Sequence, residues 1–473
     1  MFHTHKARFF ENARHAGGGV AVTPRKQAEK DFVPVEHKPA LGGEEFRRDA
    51  EAAIAWVVDY LERVGELPVA ARVEPGEVRG SLASSPPERG EPFEAILRDL
   101  DENILPGITH WNHPRFLGYF ANTGSEPGIL AELLAATLNV NAMLWSTSPA
   151  GTEVEELAVD WLRQLVGLPE GLHGHIEDTA SIATISALAA ARELRPGGTV
   201  LASEQANFSV EKAARLVGLP FRALPVDEQF RLRPDAVAAE IDGAAAVVTT
   251  SGTTSSTAVD PTPEIAELCE RAGAWLHLDA AYAGAAAVCE EFRWALAGAE
   301  RADSIVINPH KWLFTPMDCS CVWTRRPDVF FRVFSADPEY MPDRNTQVTD
   351  LKDFGPALGR RFRGLKLWAV LRYYGRDGLQ ALIREHVRLA RLFASWVEEG
   401  EGWELVVRPA FSVVCFRREG SDEENQAIIE RVNDSGEAFL SGTRLDGRFV
   451  LRVAVGNART TEEDIARVWE LLN

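Results

Sequence analysis

An aspartate and a lysine, Asp279 and Lys311, follow two short apolar runs of the sequence, at 274–278 and 304–307. If these runs are neighbouring strands of a parallel sheet, both side chains emerge at its carboxyl edge, where such sheets bind ligands. A lysine in a partly dry site has a lowered pKa, and its neutral amine can form a Schiff base. A Schiff-base lysine and a carboxylate for a pyridinium nitrogen are what pyridoxal phosphate (PLP) requires. The pair therefore predicts a PLP site.

The sequence also offers a site for the phosphate of such a cofactor. Asp178, Thr179 and Ser181 precede an alanine-rich helical segment, and the free N–H groups at a helix N-terminus attract anions. A polar turn at 251–254 ends another apolar run and would open at the same edge. Ordinary structural interpretations stay open, because Ser and Thr cap many helices and Asp279 could be a capping carboxylate. Neither GxxxxGK[ST] nor GxGxxG occurs, which argues against a nucleotide enzyme.

Composition argues against several classes of partner. The 473 residues include 50 Lys plus Arg and 70 Asp plus Glu, for a net charge of −20. Nucleic-acid binders usually carry a basic field, so we expect no nucleic-acid partner. We also expect no membrane association, because no apolar run approaches the roughly 20 residues that span a bilayer and the N-terminus lacks the apolar core of a secretory signal. Five scattered cysteines indicate a reducing cytoplasm, and no metal site is expected.

Strand-like and helical segments alternate through the middle of the chain, which indicates βαβ units and a mainly parallel sheet. Strand 199–202 is followed by helix 209–217, and strand 244–250 by helix 262–272. The final segments have the pattern of a smaller α+β domain. We therefore divide the chain into a poorly ordered extension (1–41), a helical segment (42–120), a large domain (121–370) and a small C-terminal domain (371–473).

Separate motifs along the chain together resemble the PLP-dependent aromatic-L-amino-acid decarboxylases, which are group II decarboxylases of fold type I, the aspartate aminotransferase architecture. The resemblance extends from about Gly42 to the C-terminus. Its motifs are His110-Trp111, Ser148–Glu153, Gly252–Thr254, Asp279–Gly284, Asn308–Trp312, Asp318–Ser320 and Leu358–Arg363. The resemblance implies an α/β enzyme with PLP as cofactor. It also implies a homodimer with active sites at the interface, in which segment 42–120 clasps the partner.

The resemblance further implies roles for particular residues. Lys311 would hold PLP as a Schiff base, and Asp279 would pair with the pyridine nitrogen. The residues around the phosphate would be Thr179, Ala180, Ser181, Asn308 and His310. Thr254 and Ala281 would line the cofactor ring. The aromatic substrate would contact Trp111, Tyr119, Phe120 and Gly359, with Met143 and Leu144 of the partner subunit. Glycine at 359, where phenol-preferring relatives often have serine, slightly favours an indole substrate.

Two positions bear on the product. Tyr340 matches the loop tyrosine that protonates the substrate carbon once carbon dioxide has left. Asn207 stands where the family usually has a histidine stacked on the cofactor ring, and Phe208 beside it replaces a small residue. The same His-to-Asn change marks relatives that resemble aldehyde synthases, which use dioxygen and release aldehyde, ammonia and peroxide. Tyr340 favours simple amine formation, since it retains the required acid.

We therefore expect decarboxylation of an aromatic L-amino acid to the arylalkylamine and carbon dioxide. Tryptophan, tyrosine, phenylalanine and dihydroxyphenylalanine are the candidate substrates. The first alternative is an aldehyde synthase, suggested by Asn207. The second is a protein with this fold that binds its ligand without turnover, because Asn207 and Phe208 impair catalysis.

Overall fold

The computed structural model describes residues 43–120, 122–336 and 347–473. Contacts divide the chain into two units, 1–54 and 55–473. The described part of the first unit, 43–54, contains the beginning of an N-terminal helix. Both sheets and the candidate site belong to the second unit. The predicted extension over residues 1–41 lies outside the described residues.

A seven-stranded sheet forms the core of the second unit. Its strands are β1 (His173–Glu177), β2 (Val200–Ser203), β3 (Phe221–Leu224), β4 (Ala246–Thr250), β5 (Trp275–Asp279), β6 (Ser304–Ile307) and β7 (Ser320–Thr324). The spatial order is β1-β7-β6-β5-β4-β2-β3. Neighbours from β6 to β3 are parallel, whereas β7 is antiparallel to both β6 and β1. The strand β1 therefore runs in the same direction as the other five, and six carboxyl ends meet at one edge.

Fourteen α-helices are formed by the described residues. They are α1 (Glu44–Arg63), α2 (Glu77–Ser81), α3 (Phe93–Asp99), α4 (Glu126–Leu138), α5 (Pro149–Val166), α6 (Ala180–Leu194), α7 (Ser209–Leu216), α8 (Pro234–Glu240), α9 (Thr262–Ala272), α10 (Pro309–Trp312), α11 (Pro327–Phe334), α12 (Arg363–Glu399), α13 (Asp422–Ser435) and α14 (Glu462–Leu472). Within the described ranges, none of them is both long enough and apolar enough to cross a bilayer.

Both faces of the large sheet are buried, which explains its continuous apolar strands. In β6, Val306 packs in one cluster with residues of α6, α7 and α11. Its neighbours Ile305 and Ile307 pack in the opposite cluster with residues of α5 and α9. Successive side chains of a strand point to opposite faces, so a strand covered on both sides has no polar alternation.

A smaller antiparallel sheet forms near the C-terminus. Its strands are β8 (Trp403–Val407), β9 (Val413–Arg418), β10 (Ser441–Leu445) and β11 (Arg448–Ala454), in the spatial order β10-β11-β9-β8. Helices α12, α13 and α14 contact this sheet or one another, and Phe393, Val414 and Leu451 lie in their shared core. The arrangement is that of a small α+β layer, as the sequence predicts.

The predicted α/β class with a mainly parallel sheet is confirmed, although some elements differ from the prediction. The sequence did not predict β1, β3 or β10. The helix α12 is one element with a break at Gly375 (φ 59°, ψ −175°). Because α12 crosses the predicted boundary between residues 370 and 371, the division into domains stays a prediction.

We expect the buried pair Glu155–Arg360 to be required for stability. Arg360 Nη2 donates to Glu155 Oε1 at 2.5 Å and to the Ile176 carbonyl at 2.8 Å. Replacing Arg360 with methionine leaves a buried carboxylate unpaired, so the free energy of unfolding should fall by about 3–5 kcal/mol. Urea denaturation would measure this change in the free energy of unfolding. The control is Arg361→Met, because the Arg361 side chain is 58% exposed and pairs with Glu132. Its replacement should lower the free energy of unfolding by about 1 kcal/mol or less. Equal losses in both variants would contradict the prediction.

Candidate active site

A cavity of about 470 Å³ opens at the carboxyl edge of the large sheet. Asp279 is the last residue of β5, Asn308 follows β6, and Lys311 lies in the short helix α10. Most of the site residues predicted from the sequence line this cavity: Trp111, Tyr119, Phe120, Thr179, Ala180, Ser181, Asn207, Thr254, Asp279, Ala281, Asn308, His310 and Lys311. Residues far apart in the sequence therefore meet in one place.

Lys311 is held in the cavity by its backbone and has a perturbed amine. Its N–H donates to the Asn308 carbonyl at 2.9 Å, and its Nζ lies 5.2 Å from the centre of the Phe120 ring. Burial lowers the pKa of the Lys311 amine, and the nearby Asp279 carboxylate partly opposes that shift. A lowered pKa increases the fraction of neutral amine, which is the form that attacks a carbonyl carbon.

Asp279 is a buried carboxylate without a cationic side chain bonded to it. It is 6% exposed, and its Oδ1 accepts a hydrogen bond from the Ala281 N–H at 3.1 Å. Burial lowers the pKa of His277 to about 4, so this neighbour is neutral at pH 7. Within the described ranges Asp279 forms no ion pair, and a buried charge without a partner is costly. A protonated ring nitrogen in the cavity would supply the missing partner.

The N-terminus of α6 fits a phosphate. Thr179 precedes the first residue of this 15-residue helix, and its side chain makes no capping hydrogen bond. The ordinary interpretation of Thr179 as an N-cap hydroxyl therefore does not hold. Its hydroxyl, that of Ser181 and the unpaired N–H groups of the first helical turn are available to an anion. Asp178, just before them, is paired with Arg363 at 2.6 Å, which offsets its negative charge near the phosphate position.

His310 is neutral and fixed in orientation. Burial and the adjacent Lys311 lower the pKa of His310 to about 4. The Cys319 N–H donates to His310 Nδ1 at 3.0 Å, and His310 Nε2 lies 3.2 Å from Asn308 Nδ2. The Oδ1 atom of Asn308 accepts a hydrogen bond from Ser320 Oγ at 2.8 Å. The network orients both polar side chains without placing another charge beside Lys311.

Stacked aromatic rings form another part of the cavity wall. The rings of Trp111 and Tyr119 are stacked with 5.7 Å between their centres. Phe120 stacks on Tyr282 at 4.0 Å, and Tyr282 stacks on Trp312 at 4.9 Å. These parallel faces are suited to a flat aromatic ligand.

Asn207 is bonded at both ends of its carboxamide. Its Oδ1 accepts from the Ser209 N–H at 3.0 Å, and its Nδ2 donates to Thr254 Oγ1 at 3.1 Å. These contacts fix the amide at the start of α7 and tie it to the polar turn after β4. The adjacent Phe208 also lines the cavity and is 76% exposed.

Sequence reasoning missed several residues that line the cavity: Asn122, Ser209, Thr250, Tyr282 and Met317. Phe208 and Gly252, which it singled out without assigning them a binding role, line the cavity too. Tyr282 lies within the Asp279–Gly284 motif and could have been found from it. Gly252 has φ +85°, and a Cβ there would lie 2.8 Å from Ala283 Cβ and 2.9 Å from Tyr282 Cδ1. Only glycine fits this close approach without rearrangement.

Other predicted residues do not line the cavity of this chain. Met143 is half-buried, Leu144 is buried and Gly359 is exposed. The first two are expected from a partner subunit, so a single chain does not test them. Tyr340 lies outside the described residues. The roles assigned to all four stay predictions.

Comparisons with known proteins agree with this chemistry. Residues 75–419 match the family model described as the pyridoxal-dependent decarboxylase conserved domain. Phenylacetaldehyde synthase of Rosa hybrid cultivar is 37% identical over 92% of this chain and 94% of that protein. Aromatic-L-amino-acid decarboxylase of Rattus norvegicus is 37% identical over 91% of this chain and 97% of that protein.

A solved structure gives the same result for the fold. The crystal structure of Oryza sativa TDC with PLP and tryptamine superimposes with a TM-score of 0.89, at 37% identity over 92% of this chain and 98% of that one. The expected fold type I architecture is confirmed, PLP is the cofactor, and the activity class is that of a carboxy-lyase. By its sequence, its fold and the chemistry of its cavity, the chain belongs to the family of pyridoxal-dependent decarboxylases.

Proposed function

We propose that this enzyme decarboxylates an aromatic L-amino acid, releasing the arylalkylamine and carbon dioxide. The observation that carries the proposal is that Lys311 and Asp279 open into one cavity with a wall of stacked aromatic rings. Tryptophan, tyrosine, phenylalanine and dihydroxyphenylalanine are the candidate substrates. Among the described residues that line the cavity there is no arginine, which disfavours substrates with a second carboxylate.

Each residue has a distinct task in this proposal. When bound, PLP supplies the electron sink for the pair released as the bond from Cα to the carboxylate breaks. Lys311 would hold the cofactor through its neutral amine. Asp279 would keep a proton on the pyridine nitrogen. Thr179, Ser181 and the first turn of α6 would bind the phosphate. The aromatic wall orients the substrate side chain.

A second candidate function, favoured by Asn207, is an aromatic aldehyde synthase. In that reaction dioxygen accepts two electrons and water supplies the aldehyde oxygen, and the products are carbon dioxide, an aldehyde, ammonia and hydrogen peroxide. A carboxamide bonded to Ser209 and Thr254 carries no titratable proton near neutral pH. Phenylacetaldehyde synthase of Rosa hybrid cultivar is among the similar proteins. Amine formation is nevertheless preferred, because Tyr340 matches the family's proton donor.

We further propose that the enzyme is a homodimer, with its N-terminal segment clasping the partner. Helix α4 presents an apolar face whose side chains are 50–58% exposed: Leu130, Leu133, Leu134 and Leu138. Their spacing places them along one side of the helix, and a second copy would cover them. Met143 and Leu144 would then reach the partner's cavity. A cytoplasmic location is also proposed, because all five cysteines are free.

Replacing Lys311 with alanine should abolish both cofactor attachment and turnover. Without the amine no Schiff base forms, so the visible absorbance band of added PLP should be absent. Release of carbon dioxide from each candidate substrate should fall by about 10³-fold or more. The control Lys212→Ala alters an exposed lysine of α7 and should match the wild type. Undiminished turnover by Lys311→Ala would refute the proposed role, and a wild type that releases no carbon dioxide would favour binding without turnover.

Product analysis under air should distinguish the amine from the aldehyde. We expect the wild type to release amine with little hydrogen peroxide per carbon dioxide. Tyr340→Phe should shift the products toward aldehyde and peroxide, because the proposed proton donor is lost. Tyr373→Phe, on a tyrosine that is 70% exposed in α12, is the control and should leave the ratio unchanged. One peroxide per carbon dioxide from the wild type would identify an aldehyde synthase, and Asn207→His would then be expected to restore amine.

A charge placed on the apolar face of α4 should separate the proposed dimer. Leu134→Glu introduces a carboxylate at a side chain that is 57% exposed, which desolvation would disfavour in an interface. Light scattering should show a dimer for the wild type and a monomer with reduced activity for the variant. Leu194→Glu is the matched control, because Leu194 is 44% exposed at the end of α6. This variant should remain a dimer. A wild-type monomer with full activity would contradict the proposal.

A further inference from the structure

An arginine of the small sheet is buried without a counter-charge. Arg452 lies in β11, is 3% exposed and has Ser441 of β10 and Cys415 of β9 as its cross-strand neighbours. Within the described ranges it forms no ion pair, and its Nη2 has no hydrogen-bond acceptor. Burial lowers the pKa of its guanidinium. Such a group is costly to bury, so its remaining contacts show what it does for the fold.

One contact leads from Arg452 to the backbone of the aromatic wall. Arg452 Nη1 donates to Ser441 Oγ at 3.1 Å, and the same oxygen accepts from the Tyr119 N–H at 3.0 Å. Tyr119 has φ +53°, a left-handed conformation that a bulky residue adopts rarely and that its surroundings must maintain. The Ser441 hydroxyl therefore links the guanidinium of Arg452 to the backbone of Tyr119, the wall residue with the left-handed conformation.

Two further contacts of Arg452 reach the chain beside Thr254 and the Phe120 ring. Arg452 Nε donates to the Ser255 carbonyl at 3.1 Å, directly after Thr254, which bonds Asn207. The guanidinium carbon of Arg452 lies 5.4 Å from the centre of the Phe120 ring, within the range of cation–π attraction. Tyr119, Phe120 and Thr254 all line the cavity, whereas Arg452 does not.

We infer that Arg452 is a positioning residue that holds the substrate-facing wall of the cavity. A guanidinium can reach the Ser441 hydroxyl, the Ser255 carbonyl and the Phe120 ring at once because its donors form a planar fork. A lysine ammonium is a single point charge on a flexible stem and can meet only part of this geometry. Arg452 does not line the cavity itself, so it acts on substrate affinity through Tyr119 and Phe120, which do. This inference rests on the proposed function, because the substrate is an aromatic amino acid.

The test compares Arg452→Met with Arg452→Lys. In the methionine variant we expect KM for the aromatic amino acid to rise about tenfold or more, since a misplaced wall loosens substrate positioning. The turnover number at saturating substrate and the PLP affinity, measured by absorbance titration, should stay within about twofold of the wild-type values. The substitution would then change KM while leaving kcat nearly unchanged. Arg452→Lys should recover part of the loss. Ser441→Ala should also raise KM, and its effect should be largely absent in the Arg452→Met background, because both act through Tyr119.

Arg417→Met is the matched control. Arg417 is a 6% exposed arginine of the adjacent strand β9 that donates to the carbonyls of Gly420 and Phe449 at 2.8 and 3.3 Å. Its replacement should lower thermal stability without changing KM. An unchanged KM in Arg452→Met, or an equal rise in Arg417→Met, would overturn the inference. If Arg452→Met does not fold, Arg452→Lys and Ser441→Ala decide by the same KM criterion.

A binding measurement separates this inference from the proposed function. Calorimetry with phenethylamine reports the aromatic wall without requiring turnover. Weaker binding by Arg452→Met than by Arg417→Met would support the positioning role even if the wild type released no carbon dioxide, and in that case only the proposed function would fail. Equal binding by the two variants would overturn the positioning role even if the wild type were an active decarboxylase.

Discussion

The parallel pairing of β5 with β6 is the constraint on which the site depends. In this register Asp279 lies opposite Val306, and the Ala280 N–H donates to the Val306 carbonyl at 3.0 Å. One step further, the Asn308 N–H donates to the Ala281 carbonyl at 3.1 Å, and Asn308 in turn accepts from the Lys311 N–H. A slip of one residue would turn Asp279 to the other face. Because both faces are packed, the whole core opposes such a slip.

The buried charges of the molecule lie in different surroundings inside and outside the cavity. Outside the cavity Glu155 is paired with Arg360, whereas Arg452 has no counter-charge among the described side chains. Inside the cavity the Asp279 carboxylate has no cationic partner among the described side chains, and the Lys311 amine has a lowered pKa. The absence of internal neutralisation keeps both groups available to a cofactor. Burial and the adjacent Lys311 lower the pKa of His310 to about 4, so this neighbour adds no further cation at neutral pH.

Sequence reasoning succeeded where the chemistry lies in consecutive residues at strand ends. Asp279 and Lys311 follow mainly apolar strands, so their edge of the sheet could be predicted from local pattern alone. The strand β1 could not, because His173, His175 and Glu177 look solvent-exposed until α5 and the 351–354 turn cover them. Arg452 was missed for the same reason. In sequence, an arginine within an apolar strand predicts a position that faces solvent. Only the pairing of Arg452 with Ser441 and Cys415 on the neighbouring strands shows that it is buried.

The rigidity of the sheet also bears on how product choice can vary within such a cavity. The groups proposed to hold the cofactor are fixed by backbone hydrogen bonds in β5, β6 and α6, where a substitution disturbs the core. Asn207 lies instead at the start of a short helix, and its amide satisfies two local partners, the Ser209 N–H and Thr254. The change of product proposed for this position would therefore leave the pairing of β5 with β6 intact.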